Sequence, residues 1–130
     1  MHCFLLAVSQ ASTLDRFTNN FSLFFLVEEI APSRYPTNLQ VHTHAFFEVR
    51  PDEVGREHEV RLAVTRDGSV AFHSDPIKVE PRAERHRVRL SGLSLSEPGR
   101  YRVFVEWRPA GGEWTREALG WPIKANPPLQ

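Results

Sequence analysis

Pro98-Gly99-Arg100-Tyr101-Arg102-Val103-Phe104-Val105-Glu106-Trp107 decides the fold. The Pro-Gly pair is a turn signal, and strict alternation follows it. Tyr101, Val103, Val105 and Trp107 fall on one face, and Arg100, Arg102 and Glu106 on the other. A period of two, with β-branched and aromatic residues on the apolar side, marks a strand with one face buried and one in water.

Working outward, the same reading applies on both sides. Downstream, Pro109-Ala110-Gly111-Gly112 is a hairpin loop, and residues 113–119 return as a strand. That return sets Trp107 nearly opposite Trp114, as a cross-strand aromatic pair. Upstream, residues 85–90 form a strand with Val88 and Leu90 inward, and residues 77–80 an edge segment after Pro76. Residues 40–50 place Val41, Thr43, Ala45, Phe47 and Val49 on one face. Residues 57–66 do the same with Val60, Leu62 and Val64. Joined by a loop over 51–56, the two predict a hairpin with Phe47 opposite Val60 and Ala45 opposite Leu62. For the next hairpin, a three-residue loop at Arg66-Asp67-Gly68 sets Val64 opposite Val70 and Leu62 opposite Phe72. Gly68 is then left-handed in a bulge.

Nearer the start, residues 21–30 are apolar on both faces, which predicts a central strand covered on both sides. Pro32 and Pro36 make residues 31–38 irregular. Asn19-Asn20 is a turn signal, and residues 12–17 predict one helical turn capped by Ser12 or Thr13. Residues 3–9 are the first strand. The sum is an all-β antiparallel sandwich of seven to nine strands, immunoglobulin-like. It forms one domain over residues 1–125, with residues 126–130 a frayed tail.

At 130 residues, the chain buries enough surface to need neither disulfide nor metal as a staple. Sixteen basic residues balance sixteen acidic ones, so bulk charge points to no nucleic acid partner. No apolar run approaches the roughly 20 residues of a membrane helix, and no membrane partner is expected. The run over residues 3–8 is short for a secretion signal and has no basic residue before it. Cys3, the single cysteine, can form no internal disulfide, which fits a cytoplasmic protein.

Three stretches together resemble a known family: Phe4-Leu5-Leu6-Ala7; residues 21–30 with Ala31-Pro32 and Tyr35-Pro36; and Pro98-Gly99-Arg100-Tyr101. The chain resembles a bacterial family of small proteins carrying a domain of unknown function (number 6941). That resemblance implies an immunoglobulin-like sandwich and supplies no catalytic residue. Family members tend to have Gly-Lys at the place of Asn19-Asn20, Gly near Phe25, and Asp at the places of Val8 and Glu28.

Chemistry-bearing residues are few. His42 and His44 stand two apart and share a strand face, a weak metal candidate whose third ligand would be Cys3, His73 or Glu48. No Gly-x-Ser-x-Gly elbow occurs, and the adjacent Glu28 and Glu29 point to opposite faces of a strand. The reading is therefore no enzyme, no cofactor and no catalytic residue. Charge is uneven, however: residues 82–108 carry seven arginines against three glutamates, and the remainder carries a net −4. Arg87, Arg89, Arg100 and Arg102 all face away from the core and predict one basic outer face if their strands are neighbours. Phe46, Phe104 and Trp121 are candidates for exposed aromatics. The function expected is a non-catalytic interaction module whose partner is another protein or a second copy. The alternative is a carbohydrate-type ligand domain, and third is a histidine-based metalloprotein or enzyme.

Overall fold

The strand opened by the Pro-Gly turn runs from Gly99 to Pro109 in a computed structural model that describes residues 1–18 and 20–128. It is one of ten strands among the described residues: β1 (His2–Leu14), β2 (Phe21–Leu26), β3 (Glu29–Ile30), β4 (Thr37–Glu48), β5 (His58–Arg66), β6 (Ser69–His73), β7 (Ile77–Val79), β8 (Arg85–Leu95), β9 (Gly99–Pro109) and β10 (Thr115–Ala125). The count passes the expected seven to nine because β3 and β7 are only two and three residues long. The first sheet has the order β2-β1-β4-β8. The second has β3-β10-β9-β5-β6, with β7 also on β5. All pairings are antiparallel except β3 with β10. The two sheets pack as a β-sandwich.

Alternation placed the core correctly. Val41, Ala45, Phe47, Val88 and Leu90 from the first sheet meet Val60, Leu62, Val64, Tyr101, Val103 and Val105 from the second, all buried. Each large apolar side chain so buried contributes about 1.5–3 kcal/mol. In β8 the inward set shifts from Val88 and Leu90 to Leu93 and Leu95. Gly92, at φ 86°, absorbs the change of phase.

Partners were less legible than faces. β4 and β5 do not pair, so the Phe47–Val60 and Ala45–Leu62 register is wrong. The chain instead crosses from one sheet to the other through a 3-10 turn at Pro51–Glu53 and a left-handed Gly55. β4 pairs with β1 and β8, which puts Ala45 opposite Leu6 and Val88. Both solutions bury the same faces, so the apolar pattern cannot choose between them. The β5–β6 turn is also tighter than expected. Asp67 (φ 49°) and Gly68 (φ 88°) both have positive φ, as a two-residue type I′ turn requires. Arg66 then faces Ser69, and a bulge at Ala71 brings Phe72 opposite Val64. Gly68 is left-handed as predicted, but the bulge lies further along β6.

The segment expected as a central strand is two edge strands. β2 lies at the outside of the first sheet, with Phe24, Phe25 and Leu26 exposed. Phe25 holds φ at 56°, a conformation costly for any residue but glycine or asparagine. The chain then crosses over to β3 at the edge of the second sheet. Val27 joins the two: its N–H donates to Val8 O at 2.9 Å, and its carbonyl accepts from Trp121 Nε1 at 2.7 Å. The helical turn over residues 12–17 is absent, because β1 continues to Leu14. Asp15 makes the turn instead, its carboxylate accepting from the Phe17 N–H at 2.8 Å. Of the Asn19-Asn20 signal, Asn19 lies outside the described residues, and Asn20 O accepts from Asp15 N.

The C-terminal strand is longer than residues 113–119, and Thr115, not Trp114, stands opposite Trp107. The tryptophan pair does not form. Trp107 packs on His58 and donates to Glu117 Oε2 at 3.0 Å, while Trp114 lies beneath the guanidinium groups of Arg61 and Arg108. Asn126, placed in the tail, is held: its N–H donates to Ile30 O, its side-chain amide to Glu29, and its carbonyl accepts from Tyr35. Residues 129–130 of that tail lie outside the described residues. Among the described residues, no helix is long and apolar enough to cross a membrane.

Candidate functional site

The four arginines do face outward, but not together. Arg87 and Arg89 belong to β8 in the first sheet, and Arg100 and Arg102 to β9 in the second. The outer faces of a sandwich point in opposite directions, so the single basic face is replaced by two sites. The reason lies in residues 96–98, where the chain changes sheets. Arg66 fixes that crossing by donating from Nε to Pro98 O at 2.9 Å.

On the second sheet, register builds a groove. Lys124 stands opposite Arg100, Pro122 opposite Arg102, and Gly120 opposite Phe104. A Cβ at Gly120 would come within 2.7 Å of Arg102 Cγ and Cδ and of Phe104 Cε1. The bare glycine therefore lets both side chains lie across β10. The result is a depression of about 600 Å³ bordered by Arg100, Arg102, Arg116, Lys124 and Phe104, with Glu28 and Asp67 also at its wall. Arg116 reaches Glu106 from Nε at 3.1 Å and lies 5.3 Å from the Phe104 ring centre. Arg100 and Arg102 have no carboxylate within ion-pair distance among the described residues.

Glu106 holds Arg116, one of the residues that border this groove. Alternation placed it on the solvated face, yet it is buried. Arg61 on β5 and Arg116 on β10 stand directly across from it and hold it at 2.8 and 3.1 Å, with His73 at 3.5 Å. Burial pushes its carboxyl upward, but the hydrogen bonds from Arg61 and Arg116 outweigh that and hold it below the usual glutamate range. Arg116, Lys124 and Gly120 were not foreseen as site residues. Only the β9–β10 register, with its irregularity between Arg116 and Gly120, brings them to Arg102 and Phe104.

His42 and His44 occupy the outer face of the first sheet. His42 Nδ1 lies 2.9 Å from Ser91 Oγ. His44 is fully buried, beside Phe21 (5.4 Å between ring centres) and His42 (6.2 Å). Neither ring nitrogen of His44 has a hydrogen-bond partner among the described residues. Burial first, then His42, Arg89 and Arg87, pull its pKa from 6.5 to about 4. The suggested third metal ligands are elsewhere. Cys3 is in the core, its thiol pushed up to about 11 by burial. His73 is in the other sheet, and Glu48 stands opposite His2 and Arg85. No group of three His, Cys, Asp or Glu residues converges among the described residues, so the His42–His44 metal candidate is not assembled.

The aromatic candidates separate too. Phe46 is partly covered by Phe4 and Phe21, Trp121 packs against the core, and Phe104 alone of the three borders the groove. Neither a protein family nor a curated protein matches the chain by sequence.

Proposed function

We propose that this chain is a non-catalytic interaction module that takes an acidic segment of a partner protein into the groove over Phe104. One observation carries the reading: Arg100 and Arg102, without acidic partners of their own among the described residues, share one concavity with Arg116, Lys124 and an aromatic ring. Guanidinium groups bind carboxylates in bidentate fashion, and their field speeds encounter with an acidic surface. Exposed ion pairs contribute only about 0.2–1 kcal/mol each. Affinity then needs several of them together, plus apolar contact with Phe104. The same reading makes the chain a member of the family its strand-and-turn pattern resembles, working in the cytoplasm, where a lone cysteine stays reduced.

The test measures binding of a glutamate-rich peptide containing one aromatic residue by fluorescence anisotropy. Arg100→Glu with Arg102→Glu should weaken binding by about tenfold or more, since two favourable pairs become repulsive. Raised salt should weaken the wild-type complex, while Arg87→Glu with Arg89→Glu, on the opposite face, should leave it unchanged. Binding indifferent to Arg100, Arg102 and salt overturns this reading. Saturable binding of a neutral oligosaccharide to the same groove would replace it with the carbohydrate alternative. Concentration-dependent sedimentation would identify a second copy as the partner.

A further inference from the structure

The other face of the sandwich holds a second, differently built site. β1 pairs with β4 only as far as Ser9, and beyond that it pairs with β2 alone. The distal part of this β1–β2 hairpin lies against the outer face of the first sheet. There Phe21 packs edge-on to His44 and Phe46, with the Arg87 guanidinium 3.9 Å above its ring. Beside it is a pocket of about 220 Å³ bordered by Ser12, Phe21, His44, Arg87 and Arg89. At roughly 30 Å³ per water molecule, that is room for several waters.

Every polar group in this lining is a hydrogen-bond donor or can become one. The two guanidinium groups donate only, the Ser12 hydroxyl can turn to donate, and a neutral imidazole carries one N–H. No carboxylate borders the pocket, and neither Arg87 nor Arg89 has an acid within ion-pair distance among the described residues. Arg89 stands directly across from His44, so positive charge is concentrated beside a buried polar ring that has no partner among the described residues. An unpaired buried polar group costs about 1–3 kcal/mol. Converging donors, two of them permanent cations, with no carboxylate among them fit an anionic ligand rich in acceptors.

We propose that the pocket between Ser12, His44, Arg87 and Arg89 binds a tetrahedral oxyanion, phosphate or sulfate, beside the Phe21 ring. Two oxygens would take the arginine forks, and a third would give His44 the partner it lacks. This site is independent of the groove on the second sheet, from which the whole core separates it.

The test follows thermal unfolding of the full chain as sodium sulfate, inorganic phosphate or phenyl phosphate is added, against sodium chloride at equal ionic strength. A bound anion should raise the midpoint by several degrees and saturate, since a ligand that binds only the folded state stabilises it by mass action. Arg87→Ala with Arg89→Ala should abolish the rise, and both residues are exposed, so that variant should fold. His44→Phe, which keeps the ring volume, should weaken it. Arg100→Ala with Arg102→Ala should retain it, so failure of the groove and failure of this pocket are told apart. A tighter response to inorganic phosphate identifies a free ion as the ligand, and a tighter response to phenyl phosphate a phosphoryl ester; both support the pocket. A rise matched by chloride, a rise that survives loss of both arginines, or no rise with any of the three anions overturns it.

Discussion

His44 carries a measurable consequence whatever fills its pocket. In the unfolded chain it takes a proton near the ordinary value of 6.5, and in the folded protein only near 4. Between those values the unfolded chain binds the extra proton, so stability falls as the solution is acidified. The groups facing the ring are His42 on its own strand and Arg87 and Arg89 on β8, with apolar Phe21 above. The contribution is complete above about pH 6.5 and shrinks by about 3 kcal/mol by pH 4. Urea titrations in chloride buffer at pH 7 and near pH 4 should show the wild type losing more stability than His44→Phe; equal losses would mean the ring titrates freely. A second residue tests backbone strain. Phe25 is 73% exposed at φ 56°, so its side chain returns little for the conformation it holds. Phe25→Asn should stabilise the protein by about 0.5–1 kcal/mol in the same assay. At this scale the sequence was a good guide to direction. Arg87, Arg89, Arg100, Arg102 and nearly every core residue face as alternation predicted, because the side-chain period of a strand is fixed by the backbone. Glu106 shows where that ends. Its face was legible, but its burial depends on two arginines reaching it from other strands.

Glu106 ties β5 to β10 across β9, and through His73 reaches β6 as well. Glu106→Gln removes the charge while keeping the shape, and leaves Arg61 and Arg116 facing each other unneutralised. It should destabilise the protein by about 1–3 kcal/mol near neutral pH. The difference from wild type should narrow in acid, where the wild-type carboxyl is itself protonated; a constant difference would mean packing, not charge, is what is lost. The β4–β5 connection explains what strand-level reading missed. Nine residues, 49–57, separate the two strands. A loop of that length permits either a wide hairpin or a change of sheet, and both bury Phe47 and Val60. Residues 21–30 misled for a related reason. Their continuous apolar character comes from two duties in sequence, an edge strand over the first sheet and a crossing at Val27 into the second, and not from burial on two faces.

Across the whole molecule, the overall balance of charge conceals two cationic sites on opposite sides of one core. Composition showed the arginine excess over residues 82–108, and only topology divides it. That division makes the sites separable by experiment, since substitutions on opposite faces share no contacts and their effects should add. The joint at Val27 bears on how the protein is made. Its amide is satisfied by β1, but its carbonyl waits for Trp121, and β3 waits for Lys124 and Ala125. On a ribosome adding roughly 5–20 residues per second, β10 emerges about 5–20 s after β1. Until then the chain holds an incomplete second sheet and an unclosed side, beside an edge that carries Phe24, Phe25 and Leu26. Until β10 emerges, the nascent polypeptide therefore leaves one side of its second sheet open beside that apolar edge, a surface suited to a chaperone at the tunnel exit.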